Sequence, residues 1–281
     1  MSRFAYVNGA YVPHARAAVH IEDRGYQFAD AVYEVWAVRA GKLLDREAHF
    51  DRLERSLREL RIAPPAERRA LDAIVREVAR RNRVRNGLVY LQISRGAAPR
   101  DHAFPSRAAP ALVVTAKSLD MKAIEARAEA GVRVISAPDI RWARCDIKST
   151  GLLANVLAKQ EARERGAFEA WFVDENGDVT EGASTTAWIV DAEGALITRE
   201  LDNRILPGVT RAALLRAARD LQMKVIERRF SLAEAKAAPE AFISSASGAA
   251  VPVIAIDDAP IGSGKPGAVV ARLRRAYMAQ T

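Results

Sequence analysis

The sequence predicts a mixed α+β (α/β mixed) protein built from two domains. Its 281 residues exceed the usual size of one small domain and are enough for two cores. Strand-like runs alternate with helix-period runs along the chain, and no internal repeat is visible. With 49% hydrophobic and 28% charged residues, the composition is that of an ordinary globular protein. Disordered and fibrous classes are therefore excluded.

The first half is predicted to begin with a hairpin, because two short strand-like runs flank Asn8-Gly9. Val32 to Val38 is rich in β-branched and aromatic residues and ends at Ala40-Gly41, which predicts another strand and a turn. Two amphipathic helices and two buried strands are predicted to follow, at 46–60, 66–82, 88–94 and 111–116.

The charged stretch from Lys117 to Glu129 is the best candidate for a linker. We therefore predict a small N-terminal α+β domain over 1–119 and a larger C-terminal α/β domain over 120–281. Strands of the second half are predicted at 132–137, 168–173, 186–190, 225–228, 240–245 and 251–256. Helices are predicted at 150–165, 208–222 and 265–278.

The charged and metal-ligating residues exclude several functions. The formal net charge is +8, but the basic residues are spread among acidic and apolar ones at helical spacing, as on solvated helix faces rather than a nucleic-acid site. Cys145 is the single cysteine, and the four histidines lack metal-ligand spacing, so neither a disulfide nor a metal site is predicted. No apolar run is long enough for a membrane span, and the start from Met1 lacks the apolar core of a signal peptide, which favours the cytoplasm.

Neither a glycine-rich phosphate site nor a hydrolase motif is predicted. Gly262 to Gly267 matches a glycine-rich phosphate motif, but Pro266 removes one backbone N–H and no strand–helix–strand context surrounds it, so a surface turn is predicted. The Gly-x-Ser-x-Gly elbow of hydrolases does not occur.

Lys148 lies just ahead of a helix-period run, at a predicted junction between strand and helix. On that ground alone, a solvated lysine is the simpler interpretation. Only 8 of the 43 basic residues are lysines, however, so chemistry that needs a primary amine has few candidates.

Several blocks around Lys148 resemble the class IV, or fold type IV, pyridoxal-phosphate aminotransferases, and most closely the D-amino acid transaminases. In order, they are Glu22 to Val35, His49 to Leu53, Arg95 to Pro105, Arg141 to Ser149, Leu157 to Ala162, Thr180 to Ser184 and Arg204 to Arg211. The resemblance implies the two-domain fold type IV architecture, with pyridoxal 5'-phosphate in the cleft between the domains.

The resemblance also implies cofactor-binding roles. Lys148 would form the Schiff base and then move the proton between the substrate Cα and the cofactor. Glu181 would face the pyridine nitrogen, and Arg52 would bind the phosphate together with the backbone N–H groups of Val209 and Thr210. These five positions are the predicted core of the site.

Tyr33, Arg100 and His102 are the implied substrate-binding residues. Arg100 and His102 point to the same side of an extended segment and can clamp one carboxylate. In this family that segment reaches across from the other subunit, which implies a homodimer.

Two positions depart from the family pattern. Ala246 replaces a threonine that contacts the phosphate, so only its backbone N–H is left for that role, with Ser245 or Ser247 as a substitute hydroxyl. Thr186 occupies a position where asparagine is commoner.

The function predicted is transamination of D-amino acids with 2-oxoglutarate or pyruvate, by a ping-pong reaction through a pyridoxamine form. Branched-chain aminotransferase, (R)-amine transaminase and aminodeoxychorismate lyase are alternatives of the same cofactor class, against which the Arg100-x-His102 pair argues. A non-catalytic binding domain on the same scaffold is the alternative from another class.

Overall fold

The computed structural model describes residues 3–280 and divides the chain into two compact units. The first runs up to Asp120 and includes Ile147–Gly151, and the second comprises Met121–Asp146 and the chain from Leu152 onward. The return of Ile147–Gly151 to the first unit has no counterpart in the sequence prediction. Met1 and Ser2, used in the expectation about a signal peptide, lie outside the described residues. Between residues 3 and 280, no helix has the length and apolar character needed to cross a membrane.

The first unit is built on a six-stranded antiparallel sheet. Its strands are β1 (Phe4–Val7), β2 (Ala10–Pro13), β3 (Ala31–Arg39), β4 (Lys42–Leu43), β5 (Gly87–Ser94) and β6 (Ala111–Ser118), in the spatial order β2-β1-β6-β5-β3-β4. The predicted hairpin is confirmed, because β1 pairs with β2 around Asn8 and Gly9. Both turn residues have positive φ, 44° and 99°, as a two-residue turn of primed type requires.

Helices cover the sheet of the first unit. They are α1 (Arg24–Phe28), α2 (Arg46–Glu59) and α3 (Arg68–Arg81), with a 3₁₀ turn at His14–Arg16. The apolar faces of α2 and α3 join the sheet in one core that includes Trp36, Leu53 and Val75. The two predicted amphipathic helices are thus confirmed, whereas α1 was not predicted.

The second unit contains a mixed sheet of nine described strands. They are β7 (Val132–Pro138), β8 (Glu169–Val173), β9 (Val179–Gly182), β10 (Thr186–Val190), β11 (Leu196–Thr198), β12 (Val225–Glu227), β13 (Glu240–Ser245), β14 (Ala249–Ile256) and β15 (Ala259–Pro260). Eight follow the order β12-β11-β10-β13-β14-β7-β8-β9, and β15 pairs with β14. β7 runs parallel to both β8 and β14, and β11 runs parallel to β12, while the other pairs are antiparallel.

Five helices belong to the described part of the second unit. They are α4 (Met121–Ala130), α5 (Leu153–Glu164), α6 (Val209–Asp220), α7 (Leu232–Ala237) and α8 (Ala268–Ala279). The helices predicted at 150–165, 208–222 and 265–278 are confirmed as α5, α6 and α8, and the α+β class is confirmed with them.

The structure corrects the interpretation of the charged stretch after β6. Lys117 to Glu129 was predicted as a linker, but α4 occupies most of it. Ile124 and Ala128 are buried on one side of this helix, so its charges belong to the solvated face. The four-residue strand β9 was missed because its Thr180 and Glu181 are polar yet buried.

Gly262 to Gly267 forms the predicted turn before α8. Gly262 has φ of 52°, and a Cβ there would lie 2.2 Å from the Pro239 carbonyl oxygen. The glycine is therefore explained by the backbone approach at this turn.

Candidate active site

Lys148 lies in an extended segment that pairs with the beginning of β3. The Tyr33 N–H donates to the Lys148 carbonyl oxygen at 3.0 Å, and the Thr150 N–H donates to the Ala31 carbonyl oxygen at 3.0 Å. The Lys148 N–H donates to the Oγ atom of Ser56 on α2, at 3.3 Å. The main chain of Lys148 is thus fixed by β3 on one side and by α2 on the other.

The side chain of Lys148 rests on an aromatic surface. Its Nζ atom lies 4.1 Å from the centroid of the Tyr33 ring, a cation–π arrangement. Tyr33 stacks on Tyr90 with ring centroids 5.6 Å apart, and the Tyr90 hydroxyl donates to Gln92 Oε1 at 2.7 Å. Burial, together with the neighbouring Tyr33, raises the pKa of Tyr90 to about 12, so this hydroxyl remains protonated. The structure therefore brings Lys148 and Tyr33 together.

Glu34 lies on the opposite face of β3 and binds Arg52. Its carboxylate accepts from Arg52 Nε at 2.7 Å and from Arg52 Nη2 at 2.9 Å, and it lies 2.7 Å from His49 Nδ1. Burial alone would raise the pKa of Glu34, but the Arg52 charge and these hydrogen bonds lower it to about 2. Burial also lowers the pKa of His49. Arg52 is consequently a fixed, buried cation, and its binding of phosphate stays a prediction.

Glu34 was missed in the sequence analysis, although the sequence contains a signal for it. A carboxylate within the apolar run from Val32 to Val38 has to be buried on one face of the strand, and a buried charge requires a partner. Arg52 and His49, three residues apart on α2, are that partner set.

Glu181 belongs to a second buried charge cluster, in the second unit. The Arg141 guanidinium donates to Glu181 Oε1, and the Leu206 N–H donates to Oε2 at 3.2 Å. Arg141 also donates to Asp139 Oδ2 at 2.7 Å and to Thr180 Oγ1 at 3.1 Å. Burial would raise the pKa of Asp139, but the hydrogen bonds from Arg141 lower it. Arg141 thus places a positive charge beside Glu181, the carboxylate that is predicted to face the cofactor. This role of Arg141 was not predicted.

Val209 and Thr210 begin α6, directly after Gly208. Both residues are buried, and within residues 3–280 neither backbone N–H has a hydrogen-bond partner. Buried N–H groups at a helix start are suited to an anion. A Cβ on Gly208 would lie 3.1 Å from Thr186 Oγ1, so glycine fits a tight place here. Thr186, one of the two departures from the family pattern, therefore lies beside the helix start.

Ala246 lies in the turn between β13 and β14. The flanking hydroxyls interact within that turn, because Ser245 Oγ lies 3.3 Å from Ser247 Oγ and 3.3 Å from the Gly248 nitrogen. The role of the Ala246 N–H toward phosphate stays a prediction.

Arg100 and His102 lie in the exposed loop after β5. The Arg100 guanidinium carbon is 4.9 Å from the centroid of the Phe28 ring, and the His102 ring is 5.4 Å from the same centroid. The structure therefore brings these two residues together. Among the described residues of one chain, it shows no contact between either of them and Tyr33.

Two buried arginines, which were not predicted, hold this loop. Arg24 donates to the Asp101 carbonyl oxygen at 2.5 Å, to the His102 carbonyl oxygen at 3.3 Å and to the Asp30 carboxylate at 2.8 Å. Arg95 donates to both oxygens of the same Asp30. The tip of the loop is thus attached to the first unit through the Arg24 side chain, whereas its base makes main-chain bonds, among them the Ala98 N–H to the Glu22 carbonyl oxygen at 3.3 Å.

Comparison with known proteins identifies the family. The profile of the family described as amino-transferase class IV matches residues 31–256. This chain belongs to that family. The enzyme class and the pyridoxal 5'-phosphate cofactor predicted from the sequence are thereby confirmed.

Similar proteins with curated names include D-alanine aminotransferases. The one from Staphylococcus haemolyticus is 37% identical over 274 residues, covering 97% of this chain and 95% of that protein. The one from Bacillus licheniformis is 37% identical over 269 residues, covering 96% and 94%.

Among solved structures, a T.th. branched-chain amino acid aminotransferase with pyridoxamine 5'-phosphate has a TM-score of 0.90. It is 28% identical, with 99% of this chain and 93% of that chain covered. The Escherichia coli branched-chain enzyme has a TM-score of 0.91, covers 99% and 94% of the two chains, and at 23% identity shows the common fold.

Proposed function

We propose that this protein transfers the amino group of D-amino acids to a 2-oxo acid, 2-oxoglutarate or pyruvate, with pyridoxal 5'-phosphate. The observation that carries the proposal is the placement of Lys148, whose main chain is fixed by β3 and whose amine lies on the Tyr33 ring. The identity to D-alanine aminotransferases supports the D-amino acid as substrate.

The residues present fit the cofactor. The unpartnered N–H groups of Val209 and Thr210, within the described chain, suit its phosphate, as does the buried cation of Arg52. The Glu181 carboxylate, which accepts a hydrogen bond from Arg141, suits a protonated pyridine nitrogen. When bound, the cofactor supplies an electron sink for the bond broken at the substrate Cα.

Lys148 performs the proton transfer in this proposal. Its Nζ removes the proton from the substrate Cα in one half of the reaction and returns a proton to Cα of the second substrate in the other half. The π face of Tyr33 stabilises the protonated amine between these events. The amine therefore keeps one position through both halves.

Arg100 and His102 bind the substrate carboxylate in this proposal. Because the described part of one chain shows no contact between this pair and Tyr33, the proposal includes a homodimer in which the loop of one subunit completes the site of the other. The single Cys145, which forms no disulfide, agrees with a cytoplasmic location.

The test is a panel of D- and L-amino acids assayed with 2-oxoglutarate and with pyruvate. We expect D-alanine or D-glutamate to be among the best donors and all L-amino acids to be poor ones. Preference for L-leucine or L-valine would contradict the proposal and favour a branched-chain aminotransferase, the class of the solved structure to which this chain is 28% identical.

A further inference from the structure

A cavity of about 670 Å³ lies in the first unit, at the end of β3. Its apolar lining comes from Val38 on β3, Leu43 on β4, Ala79 on α3 and Val84 in the loop after α3. This volume is within the range of pockets that bind drug-sized molecules, roughly 300–1,000 Å³. We call this cavity the basic pocket.

The name refers to the six cationic side chains that also line the pocket. They are Lys42, Arg46, Arg76, Arg80, Arg83 and Arg85. Half of them are neutralised by the protein itself. Asp72 pairs with Arg46 and Arg76, and Glu77 pairs with Arg80.

Lys42, Arg83 and Arg85 form the other half. Across residues 3–280, the structure shows no carboxylate within ion-pair distance of these three side chains. Three unneutralised cations around an apolar lining create a positive potential that attracts an anion. The guanidinium fork of arginine matches the oxygens of a carboxylate or a phosphate.

Backbone hydrogen bonds fix the walls of the pocket. The Ala40 N–H donates to Asn86 Oδ1 at 3.1 Å, and the Gly41 N–H donates to the Arg85 carbonyl oxygen at 2.8 Å. These bonds join the β3–β4 turn to the loop that contains Arg83 and Arg85. The pocket is therefore preformed, which lowers the entropy cost of binding.

Arg83 adopts a conformation that costs free energy. It follows α3 with φ of 55°, in the left-handed region where a helix end usually has glycine. The Val84 N–H donates to the Ala79 carbonyl oxygen at 3.0 Å, which closes the helix end. An arginine at this position places a cation at the rim of the pocket, where glycine would leave none.

The basic pocket is separate from Lys148. Lys148 pairs with the beginning of β3, at Tyr33, whereas Val38 lies five residues further along the same strand. At about 3.3 Å per residue, the two places are roughly 17 Å apart. The ligand of the pocket is therefore not the substrate bound near Lys148.

We propose that the basic pocket is a second ligand site, which binds a small amphipathic anion. The anionic head, a carboxylate or a phosphate, contacts Lys42, Arg83 and Arg85. The apolar body fills the space above Val38 and Ala79. This proposal does not depend on the reaction proposed above.

The experiment is calorimetric titration of the holoenzyme after borohydride reduction, which blocks the catalytic lysine. The probes are octyl phosphate, octanoate, octyltrimethylammonium and inorganic phosphate, each below its critical micelle concentration. We expect both octyl anions to bind, with the tighter one identifying the preferred head group. Octyltrimethylammonium and inorganic phosphate should bind at least tenfold more weakly.

Substitutions test whether the octyl anion binds in the basic pocket. The double variant Arg83→Ala/Arg85→Ala should weaken the better octyl anion at least tenfold. The matched control Arg58→Ala/Arg69→Ala removes two exposed arginines of the same unit, at positions that do not line the pocket, and should leave the affinity unchanged. Lys42→Glu, an exposed position, provides a second test by charge reversal.

Four results would overturn the proposal. Three concern binding: absence of binding by both octyl anions, equal affinity for inorganic phosphate and the octyl anions, and equal weakening in the control double variant. A changed molecular mass of Arg83→Ala/Arg85→Ala in sedimentation would also overturn it, because the pocket would then be a contact between subunits.

Discussion

The lysine segment Ile147–Gly151 and the tip of the loop after β5, from Pro99 to Pro105, are attached to the same unit in different ways. The lysine segment pairs through its main chain with β3. The base of the loop also makes main-chain bonds, since the Arg24 N–H donates to the Gly96 carbonyl oxygen and the Ala98 N–H donates to the Glu22 carbonyl oxygen. The tip is held through side chains, chiefly the Arg24 guanidinium on the carbonyl oxygens of residues 101 and 102. The difference shows which element a substitution can alter. The main-chain pairing of the lysine segment does not depend on a side chain, whereas one substitution, at Arg24, removes the hydrogen bonds to the loop tip.

This contrast agrees with the proposed roles. Proton transfer requires an amine in one position for every substrate, and a rigid sheet provides it. In the proposed function, the carboxylate is recognised by an exposed loop on a rigid support, a common arrangement for residues that determine specificity.

The largest effect is expected for Lys148→Ala. Removal of the amine should reduce kcat by at least about a thousandfold, since the proton transfer loses its acid and base. The melting temperature should stay within about 2 °C, because the bonds that fix this segment are made by the backbone. Turnover and thermal melting of the purified variant are the measurements.

Lys122→Ala is the matched control, since Lys122 is an exposed lysine on α4. It should retain full activity. Borohydride reduction of the wild type followed by peptide mapping should place the cofactor on Lys148. Cofactor fixed on Lys159 or Lys265 would contradict the assignment.

The next effect concerns the stability of the first unit, where Glu34 pairs with Arg52 on the face of β3 opposite Tyr33. The pKa of Glu34 falls from 4.5 to about 2 on folding, which corresponds to about 3 kcal/mol of stability at neutral pH. Because the folded-state pKa is the lower one, this contribution is present above about pH 5 and is lost as the pH falls toward 2. Glu34→Gln should therefore lower the free energy of unfolding by about that amount at neutral pH, and the difference from wild type should narrow as the solution becomes more acidic.

Glu77→Gln tests whether burial is the reason that Glu34→Gln lowers the free energy of unfolding. Hydrogen bonds from Arg80 and Arg81 also lower the pKa of Glu77 to about 2, but this carboxylate lies on the solvated surface of α3. Solvent screening weakens such a pair, so denaturant unfolding should hardly change. Equal destabilisation by the two substitutions would contradict the buried-pair explanation.

Most strands and long helices were predictable because their signal is local. The hairpin at Asn8-Gly9 and the helices α2 and α3 follow from turn chemistry and apolar periodicity. The lysine and its neighbours were found by resemblance, because one lysine before a helix has no distinctive periodicity.

The bonds from Arg24 to the loop tip and from Arg141 to Glu181 were not predictable, because they join residues distant in sequence. Arg24 reaches the carbonyl oxygens of residues 101 and 102, and Arg141 reaches Glu181 forty residues later. No spacing rule connects such pairs. Only the folded chain shows that these charges are buried and paired.

A smaller effect, on catalysis alone, is expected for Arg100→Ala. Loss of a charge-assisted carboxylate contact costs about 1.5–3 kcal/mol, or roughly ten- to over a hundredfold in kcat/KM. D-alanine turnover should fall by that factor, while the half-reaction with (R)-1-phenylethylamine, which has no carboxylate, should be unchanged. Arg107→Ala, an exposed arginine of the same connection between β5 and β6, is the control and should retain D-alanine turnover.

The smallest effect is expected for Arg24→Gln, because Arg24 acts on the substrate only through the loop. The substitution removes the bonds to the Asp101 and His102 carbonyl oxygens, while Asp30 keeps its partner Arg95. A hydrogen bond contributes about 0.5–1.5 kcal/mol net, so kcat/KM for D-alanine should fall about three- to tenfold. The loss should appear mainly as a higher KM, since the loop positions the carboxylate and leaves Lys148 in place.

(R)-1-Phenylethylamine, which has no carboxylate, distinguishes a loss of loop positioning from general damage to the first unit. If Arg24 positions the loop, the half-reaction with (R)-1-phenylethylamine stays at the wild-type rate in Arg24→Gln, and Arg24→Lys recovers part of the D-alanine KM. Arg16→Gln, which removes an exposed arginine from the 3₁₀ turn, controls for the loss of charge. Equal losses with the amine and with D-alanine would show that Arg24 supports the whole unit, and the contrast between the loop and the lysine segment would then fail.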